Sequence, residues 1–327
     1  MMDMDIDIDI GVDGVTGSRS GSGSGSRPRP TFTHMIFSGG GFLGLTYLGI
    51  IRYLQQEHMD KHIKTVAGTS VGATFAACFA LGVPYHTIEE EFSSLNEDFI
   101  KFNLESILNM GETMGLTNAQ SMVSKFGKYV GNMTFIDFAK HTGKNLIVCA
   151  THVETMTPVY FCVDRTPHVR VIDAVAASMA IPMIVSPVKI GDDYYIDGAV
   201  THNVPVRCIP FDVHKECVLI INVDIEVKGF DMNADHGHGT NQSAISRVIK
   251  YASHVITAAT SNMQAKQLIK SQYPYYMYIN DAPVGQLEFV VDEDTSIFRV
   301  KLPDKTTVEN CMLHGYNKMY MMFNVVM

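Results

Sequence analysis

The chain contains no apolar run near the roughly 20 residues that a bilayer span requires. Its longest candidates, Val71 to Val83 and Ala174 to Val185, are short and interrupted by Gly or Pro. No secretory leader is expected, since the first residues alternate Asp with Met or Ile and lack a basic-then-apolar order. Basic charge is scarce, with 25 Lys and Arg against 34 Asp and Glu, for a formal net charge of -9. Such a body lacks the basic stripe that displaces counterions from nucleic acid, so no nucleic-acid partner is expected. It argues equally against docking on anionic membranes by charge alone. None of the six cysteines pairs at Cys-x-x-Cys spacing, which removes the usual zinc and thioredoxin signatures. Cys78, Cys149 and Cys162 fall inside apolar runs, where a reduced core thiol is the ordinary reading. These absences predict a cytoplasmic chain, peripheral on membranes, with no metal and no cofactor.

What is present suits a packed core: hydrophobic residues make up 46% and charged residues 18% of 327. Residues 1–30 stand apart. Met-Asp and Ile-Asp repeats, alternating Gly and Ser, and Arg27-Pro28-Arg29-Pro30 cannot bury enough apolar area to offset their ordering entropy. They read as a disordered low-complexity tail.

From Thr31 the pattern is strand, glycine turn, helix, repeated at once. Phe32 to Phe37 reads as a strand, Gly39-Gly40-Gly41 as a turn, and Phe42 to Gln56 as an apolar helix. His62 to Ala67 reads as a second strand, Gly68 to Gly72 as its turn, and Val71 to Leu81 as a helix stopped by Gly82 and Pro84. Such repetition signals βαβ units and a parallel sheet. Residues 85–142 read as a helical insertion, with capping-box spacing at Thr117/Gln120 and Thr134/Asp137. Further strands are expected at 145–150, 158–163, 188–196, 218–223, 275–279 and 287–291. Further helices are expected at 171–180, at 243–270 and from Val308.

Two turns carry chemistry. Gly68-Thr69-Ser70-Val71-Gly72 fits Gly-x-Ser-x-Gly between a strand and a helix. A serine there sits on a strained turn that lifts its hydroxyl clear of the sheet. Small neighbours, Gly68 and Gly72, let strand and helix crowd together. The helix that follows directs its positive end at developing negative charge. Ser70 is therefore the candidate nucleophile. Ser38-Gly39-Gly40-Gly41-Phe42-Leu43-Gly44 fits G-x-G-x-x-G after a strand. A dinucleotide fingerprint would want an acidic residue closing the second strand about 20 positions on, but Glu57 and Asp60 come too early. The better account is an oxyanion hole built from the unobstructed N–H groups of Gly39, Gly40 and Gly41.

A serine nucleophile needs a base. In the order Ser, Asp, His, any of His202, His214, His236, His238, His254 or His314 qualifies, and none has a distinctive context. Tyr195-Ile196-Asp197-Gly198-Ala199 instead places an aspartate at a strand end before two small residues. Ala177-Ser178-Met179-Ala180-Ile181-Pro182 lies upstream and Asn203-Val204-Pro205 downstream. With the glycine-rich segment and the Gly-x-Ser-x-Gly box, these motifs stand in the order of the patatin-like phospholipases, which the sequence resembles over roughly 31–210.

The resemblance implies a three-layer α/β/α sandwich with a mainly parallel sheet. It implies a catalytic domain at 31–210 and a C-terminal extension, 211–327, packed on it. It implies a Ser-Asp dyad without histidine: Ser70 as nucleophile, Asp197 as base, and Gly39, Gly40 and Gly41 as oxyanion donors. Gly68 and Gly72 would shape the nucleophile elbow, with Gly44, Gly198 and Ala199 supporting the motifs. The implied partner is a lipid ester at a membrane or lipid-droplet surface. One departure is Leu43, where many relatives carry a basic residue. Phe42-Leu43-Gly44 looks more like the branch that includes adipose triglyceride lipase.

Two other classes compete: a catalytically silent lipid-binding relative, and a nucleotide-binding oxidoreductase using the Gly39–Gly44 turn. Asp231, Asp235, His236 and His238 resemble a metal site only loosely and read as a mobile Gly-rich loop. The Met-rich terminal segment from Met312 to Met327 reads as a helix packed over the sheet, with insertion at a membrane surface as the alternative.

Overall fold

The computed structural model describes residues 29–95, 99–224, 251, 258, 263–284, 289–292 and 297–324. The low-complexity tail up to 28, the Asp231–His238 cluster and most of the helix expected at 243–270 lie outside the described residues.

The described residues form a mixed α/β fold around an eight-stranded sheet. Its strands are β1 (His34–Phe37), β2 (Thr65–Thr69), β3 (Asn145–His152), β4 (Thr157–Phe161), β5 (Val188–Ile190), β6 (Asp193–Asp197), β7 (Val218–Val223) and β8 (Tyr276–Ile279). The order is β8-β7-β1-β2-β3-β6-β5, with β4 also paired to β3. From β8 to β3 every neighbouring pair is parallel; β4, β5 and β6 run antiparallel to their partners.

Alternation along the central strands builds the layers. Met35 and Phe37 of β1 join one buried cluster with Val66, Val148, Leu219 and Ile221. Ile36 joins another with Ala67, Ile147, Val218 and Ile220. A sheet buried on both faces explains why these strands read as continuous apolar runs. One face carries α1 (Thr46–Gln56), α2 (Val71–Ala80) and α3 (Val171–Ser178). On the opposite face lie the segment after the short helix α4 (Ala199–His202) and the helix Met263–Gln272, through Ile269.

The last described helix, α5 (Lys305–Asn324), lies directly against α1. The helices approach backbone to backbone. A Cβ on Gly49 would stand 1.8 Å from the Met312 carbonyl oxygen, and one on Gly315 would stand 2.0 Å from that of Thr46. Met319 is fully buried in this contact layer. No described helix is long and apolar enough to cross a membrane.

Several boundaries differ from the sequence expectation. The helix expected from Phe42 is divided: Gly41–Leu45 is a 3-10 turn and α1 begins at Thr46. Gly44 sits so close to Val71 that a Cβ would stand 2.8 Å from Val71 Cγ1, which fits the tight winding there. The single strand expected over 188–196 is a hairpin, β5 and β6, because Gly191 adopts φ 66 in the turn between them. Thr134 and Asp137 form the expected capping box. Thr117 does not cap: it ends the short strand Gly115–Thr117, and its carbonyl accepts the N–H of Ser186. The insertion is not wholly helical, since this strand pairs with Met183–Val185. The short strands Lys101–Phe102 and Ile297–Val300 were also illegible in the sequence.

Candidate active site

Strand register brings the two motif residues together. Thr69, the last residue of β2, pairs with Cys149 of β3. Asp197, the last residue of β6, pairs with Ala150. On the other edge of β3, Cys149 and Ala150 pair with Tyr160 and Val159 of β4. A strand has only two edges, so β2 and β6 share one and end at successive positions along it. Ser70, one residue past β2, therefore meets Asp197: Ser70 Oγ donates to Asp197 Oδ2 at 2.6 Å.

The Ser70 turn is strained. Ser70 has φ 55 and ψ -130, a region that L-residues rarely adopt and that costs about 1–3 kcal/mol. The fold holds it there through close packing and hydrogen bonds. A Cβ on Gly68 would stand 2.3 Å from the Gly72 carbonyl oxygen, and one on Gly72 would stand 2.3 Å from that of Ser38. Neither position accepts a side chain. The N–H of Ser70 donates to Ser178 Oγ at 2.8 Å, and Ser178 in turn donates to the Cys149 carbonyl at 2.5 Å. α2 starts at Val71, so its N-terminal N–H groups surround the serine.

Asp197 is anchored at every polar atom. Oδ1 accepts the N–H of Ala199 at 2.8 Å, Oδ2 accepts Ser70, and its carbonyl accepts Thr151 Oγ1 at 2.9 Å. Its own N–H donates to the Ala180 carbonyl at 2.8 Å. Gly198 is required beside it, because a Cβ there would stand 2.2 Å from the Cys149 carbonyl oxygen. Burial pushes the Asp197 carboxyl up to about 6, against the lowering pull of the Ser70 hydroxyl and the Ala199 N–H. An aspartate titrating there is a far better proton acceptor at neutral pH than an ordinary one.

The glycine turn lies in contact with this pair. A Cβ on Gly39 would stand 3.0 Å from Ser70 Cβ. Ser38 locks the turn to the sheet: its Oγ accepts the N–H of Val223 at 3.0 Å, and its carbonyl accepts the Tyr47 hydroxyl at 2.7 Å. Gly41 has φ 54, a conformation glycine adopts freely. The three glycines are not equivalent. The N–H of Gly39 donates to Asn203 Oδ1 at 2.9 Å, so it is already engaged. Among the described residues, no hydrogen bond takes up the N–H of Gly40 or Gly41. Leu43 is buried in the core and brings no charge to the turn.

The described histidines stand elsewhere, and His236, His238 and His254 lie outside the described residues. His202 hydrogen-bonds through Nδ1 to the Tyr160 hydroxyl, and burial pushes its pKa down to about 4. His314 pairs with Asp281. No described histidine is hydrogen-bonded to Ser70 or Asp197. Among the described residues no group of three or more His, Cys, Asp or Glu is placed to hold a metal ion.

The family model for patatin-like phospholipases matches residues 35–208, a span that contains Ser70, Ser178, Asp197, Asn203 and the glycine turn. The chain belongs to that family. Membership in the patatin-like lipid hydrolases replaces the dinucleotide reading of the glycine turn. The chain is 29% identical over 182 residues to a probable lipid hydrolase of Invertebrate iridescent virus 6, covering 53% of this chain and 61% of that protein. It is 28% identical over 186 residues to an uncharacterized protein of Acanthamoeba polyphaga mimivirus, covering 56% of this chain and 63% of the other. A triacylglycerol lipase of Saccharomyces cerevisiae is 22% identical over 231 residues, 60% of this chain and 30% of the lipase. The chain thus spans about six-tenths of the length of the two viral relatives. Among solved structures, VipD of Legionella pneumophila superposes with a TM-score of 0.53 at 16% identity, over 90% of this chain and 67% of VipD. At that identity the likeness is one of fold, and the fold is patatin-like.

Sequence reading missed two groups that hold the site. Ser178 and Asn203 stood inside quoted motifs, but neither had a role. Their hydroxyl and amide act on backbone groups of Ser70 and Gly39, and backbone partners leave no trace in residue spacing.

Proposed function

We propose that the chain hydrolyses carboxylic esters of lipids through a Ser70-Asp197 dyad and an acyl-enzyme intermediate. The observation that carries this reading is the buried 2.6 Å contact between Ser70 Oγ and Asp197 Oδ2. A serine aimed at a carboxylate with a raised pKa, on a strained turn at a helix start, is an activated nucleophile beside its base.

In this reading Ser70 Oγ attacks the ester carbonyl carbon and Asp197 takes its proton. The carbonyl oxygen becomes an oxyanion, met by the N–H groups of Gly40 and Gly41 and by the positive end of α2. Gly39 shapes that turn, its own N–H being held by Asn203. The tetrahedral intermediate collapses, Asp197 returns the proton to the departing alcohol or lysolipid, and the acyl group stays on Ser70. Asp197 then deprotonates a water that attacks the acyl carbon, the Ser70 Oγ–acyl bond breaks, the fatty acid leaves and Asp197 returns the proton to Ser70 Oγ. No step requires a histidine, a metal or a cofactor.

The lipid assignment rests on the family and on relatives named as a lipid hydrolase and a triacylglycerol lipase. The substrate is a phospholipid, lysophospholipid or glyceride presented at a membrane or lipid-droplet surface. Leu43 removes one candidate cationic contact for a phospholipid phosphate from the turn.

The test is labelling with a fluorophosphonate, wild type against Ser70→Ala, followed by a panel of phospholipids and glycerides with fatty-acid release as the readout. Adduct on wild type at Ser70 and none on Ser70→Ala supports the reading. Equal labelling of both, or labelling without hydrolysis of any lipid ester, contradicts it.

A further inference from the structure

The stretch from Asp197 to Asn203 reaches three parts of the site at once. Asp197 meets Ser70, the His202 carbonyl accepts Thr69 Oγ1 at 3.3 Å, and Asn203 meets the glycine turn. The last contact is two-pronged. Asn203 Oδ1 accepts the Gly39 N–H at 2.9 Å, and Asn203 Nδ2 donates to the Gly39 carbonyl at 3.3 Å. Only this orientation of the amide satisfies both partners, one a donor and the other an acceptor.

The two bonds act on different peptide units. The Gly39 N–H belongs to the Ser38–Gly39 peptide. The Gly39 carbonyl belongs to the Gly39–Gly40 peptide, which also carries the Gly40 N–H. In a planar trans peptide, C=O and N–H point in opposite directions. Fixing the Gly39 carbonyl therefore fixes the direction of the Gly40 N–H. Ser38 Oγ also donates to that carbonyl, at 3.0 Å, so two donors hold one end of the unit. Asn203 is the one that links this unit to the segment carrying Asp197. A Cβ on Gly39 would stand 2.7 Å from Asn203 Oδ1 and 3.0 Å from Ser70 Cβ, so turn, amide and nucleophile are packed without slack.

We propose that Asn203 is a positioning residue: it clamps the Gly39 peptide groups and so aims the Gly40 N–H at the oxyanion, in register with Asp197. The proposal rests on the Ser70-Asp197 reading above. It assigns Asn203 no contact with substrate. Its effect belongs to the transition state, because the oxyanion forms only there.

Asn203→Ala tests it on a short-chain soluble ester. A small misplacement of a catalytic donor costs on the order of 10²-fold in rate. The expected result is a fall of about that size in kcat with KM nearly unchanged. A trifluoromethyl ketone, which forms an oxyanion on Ser70, should weaken by the same factor. A non-hydrolysable ether analogue of the ester should bind as before. Asn203→Asp keeps an acceptor for the Gly39 N–H, removes the donor to the Gly39 carbonyl, and reads the clamp even where Asn203→Ala folds poorly. Its kcat should fall as that of Asn203→Ala does, because both lose the bond that aims the Gly40 N–H. Unchanged kcat in a folded variant, or equal weakening of ketone and ether, would overturn the clamp. Fluorophosphonate separates the two readings. A wild type that fails to label at Ser70 removes the dyad itself, whereas a labelled wild type with an indifferent Asn203→Ala removes the clamp alone.

Discussion

Ser178 Oγ accepts the backbone N–H of Ser70 at 2.8 Å and donates its own hydrogen bond to the Cys149 carbonyl. One buried hydroxyl thus ties the strained turn to β3. Ser178→Ala leaves the buried Ser70 N–H without its acceptor, a desolvation cost of about 1–3 kcal/mol. The variant should lose about 1–3 kcal/mol of unfolding free energy in urea. It should also label more slowly with fluorophosphonate, since the turn is no longer held. Stability and labelling rate both equal to wild type would show that the bridge does not support the turn.

The Asp197 carboxyl gives a pH signature. Its pKa stands at about 6 in the fold, raised by burial above the ordinary value of 3.8. As the proposed base, Asp197 acts when deprotonated, so kcat/KM for a soluble ester should rise with pH, reach half its plateau near 6 and stay flat above. The sign for stability is opposite. A carboxyl whose folded pKa is raised binds its proton more tightly when folded. Its stabilising contribution is full below about 4 and is lost as pH rises through about 6. Asp197→Asn removes that loss. Its stability relative to wild type should increase between pH 4 and pH 7 in denaturant unfolding. A difference that does not change with pH would contradict the burial argument.

Much of this site was legible because its chemistry depends on short contiguous motifs. Gly68 to Gly72 announced a turn that only small residues could close, and the Asp197-Gly198 pair announced a strand end. The strand register that joins them was not legible. It depends on Cys149 and Ala150 being neighbours on β3, although their partners Thr69 and Asp197 lie far from them along the chain and on opposite sides in sequence. The fold class followed from βαβ repetition, while short strands such as Gly115–Thr117 did not, because three residues carry no period. Gly39 shows the other limit. As a glycine in a turn it read as an oxyanion donor, but its N–H is engaged by a side chain 164 positions away.

The contact between α1 and α5 makes a separate prediction. Gly315→Ala would place a Cβ 2.0 Å from the Thr46 carbonyl oxygen, so the helices must separate. Overpacking of this kind typically costs about 1–3 kcal/mol. Thermal unfolding should show that loss, with Ser70 still labelled in the folded fraction. An unchanged melting temperature would mean that α5 does not rest on α1 in solution.

The central claim is that Asp197, and no histidine, is the base for Ser70. The most direct measurement is steady-state hydrolysis of a soluble ester by Asp197→Asn, with its fold checked by circular dichroism. Removing a general base costs about 10²–10⁴-fold. The account predicts a fall in kcat of that size in a folded protein, with substitution of His202 by Gln leaving most activity in place. A folded Asp197→Asn enzyme that keeps wild-type kcat would contradict it.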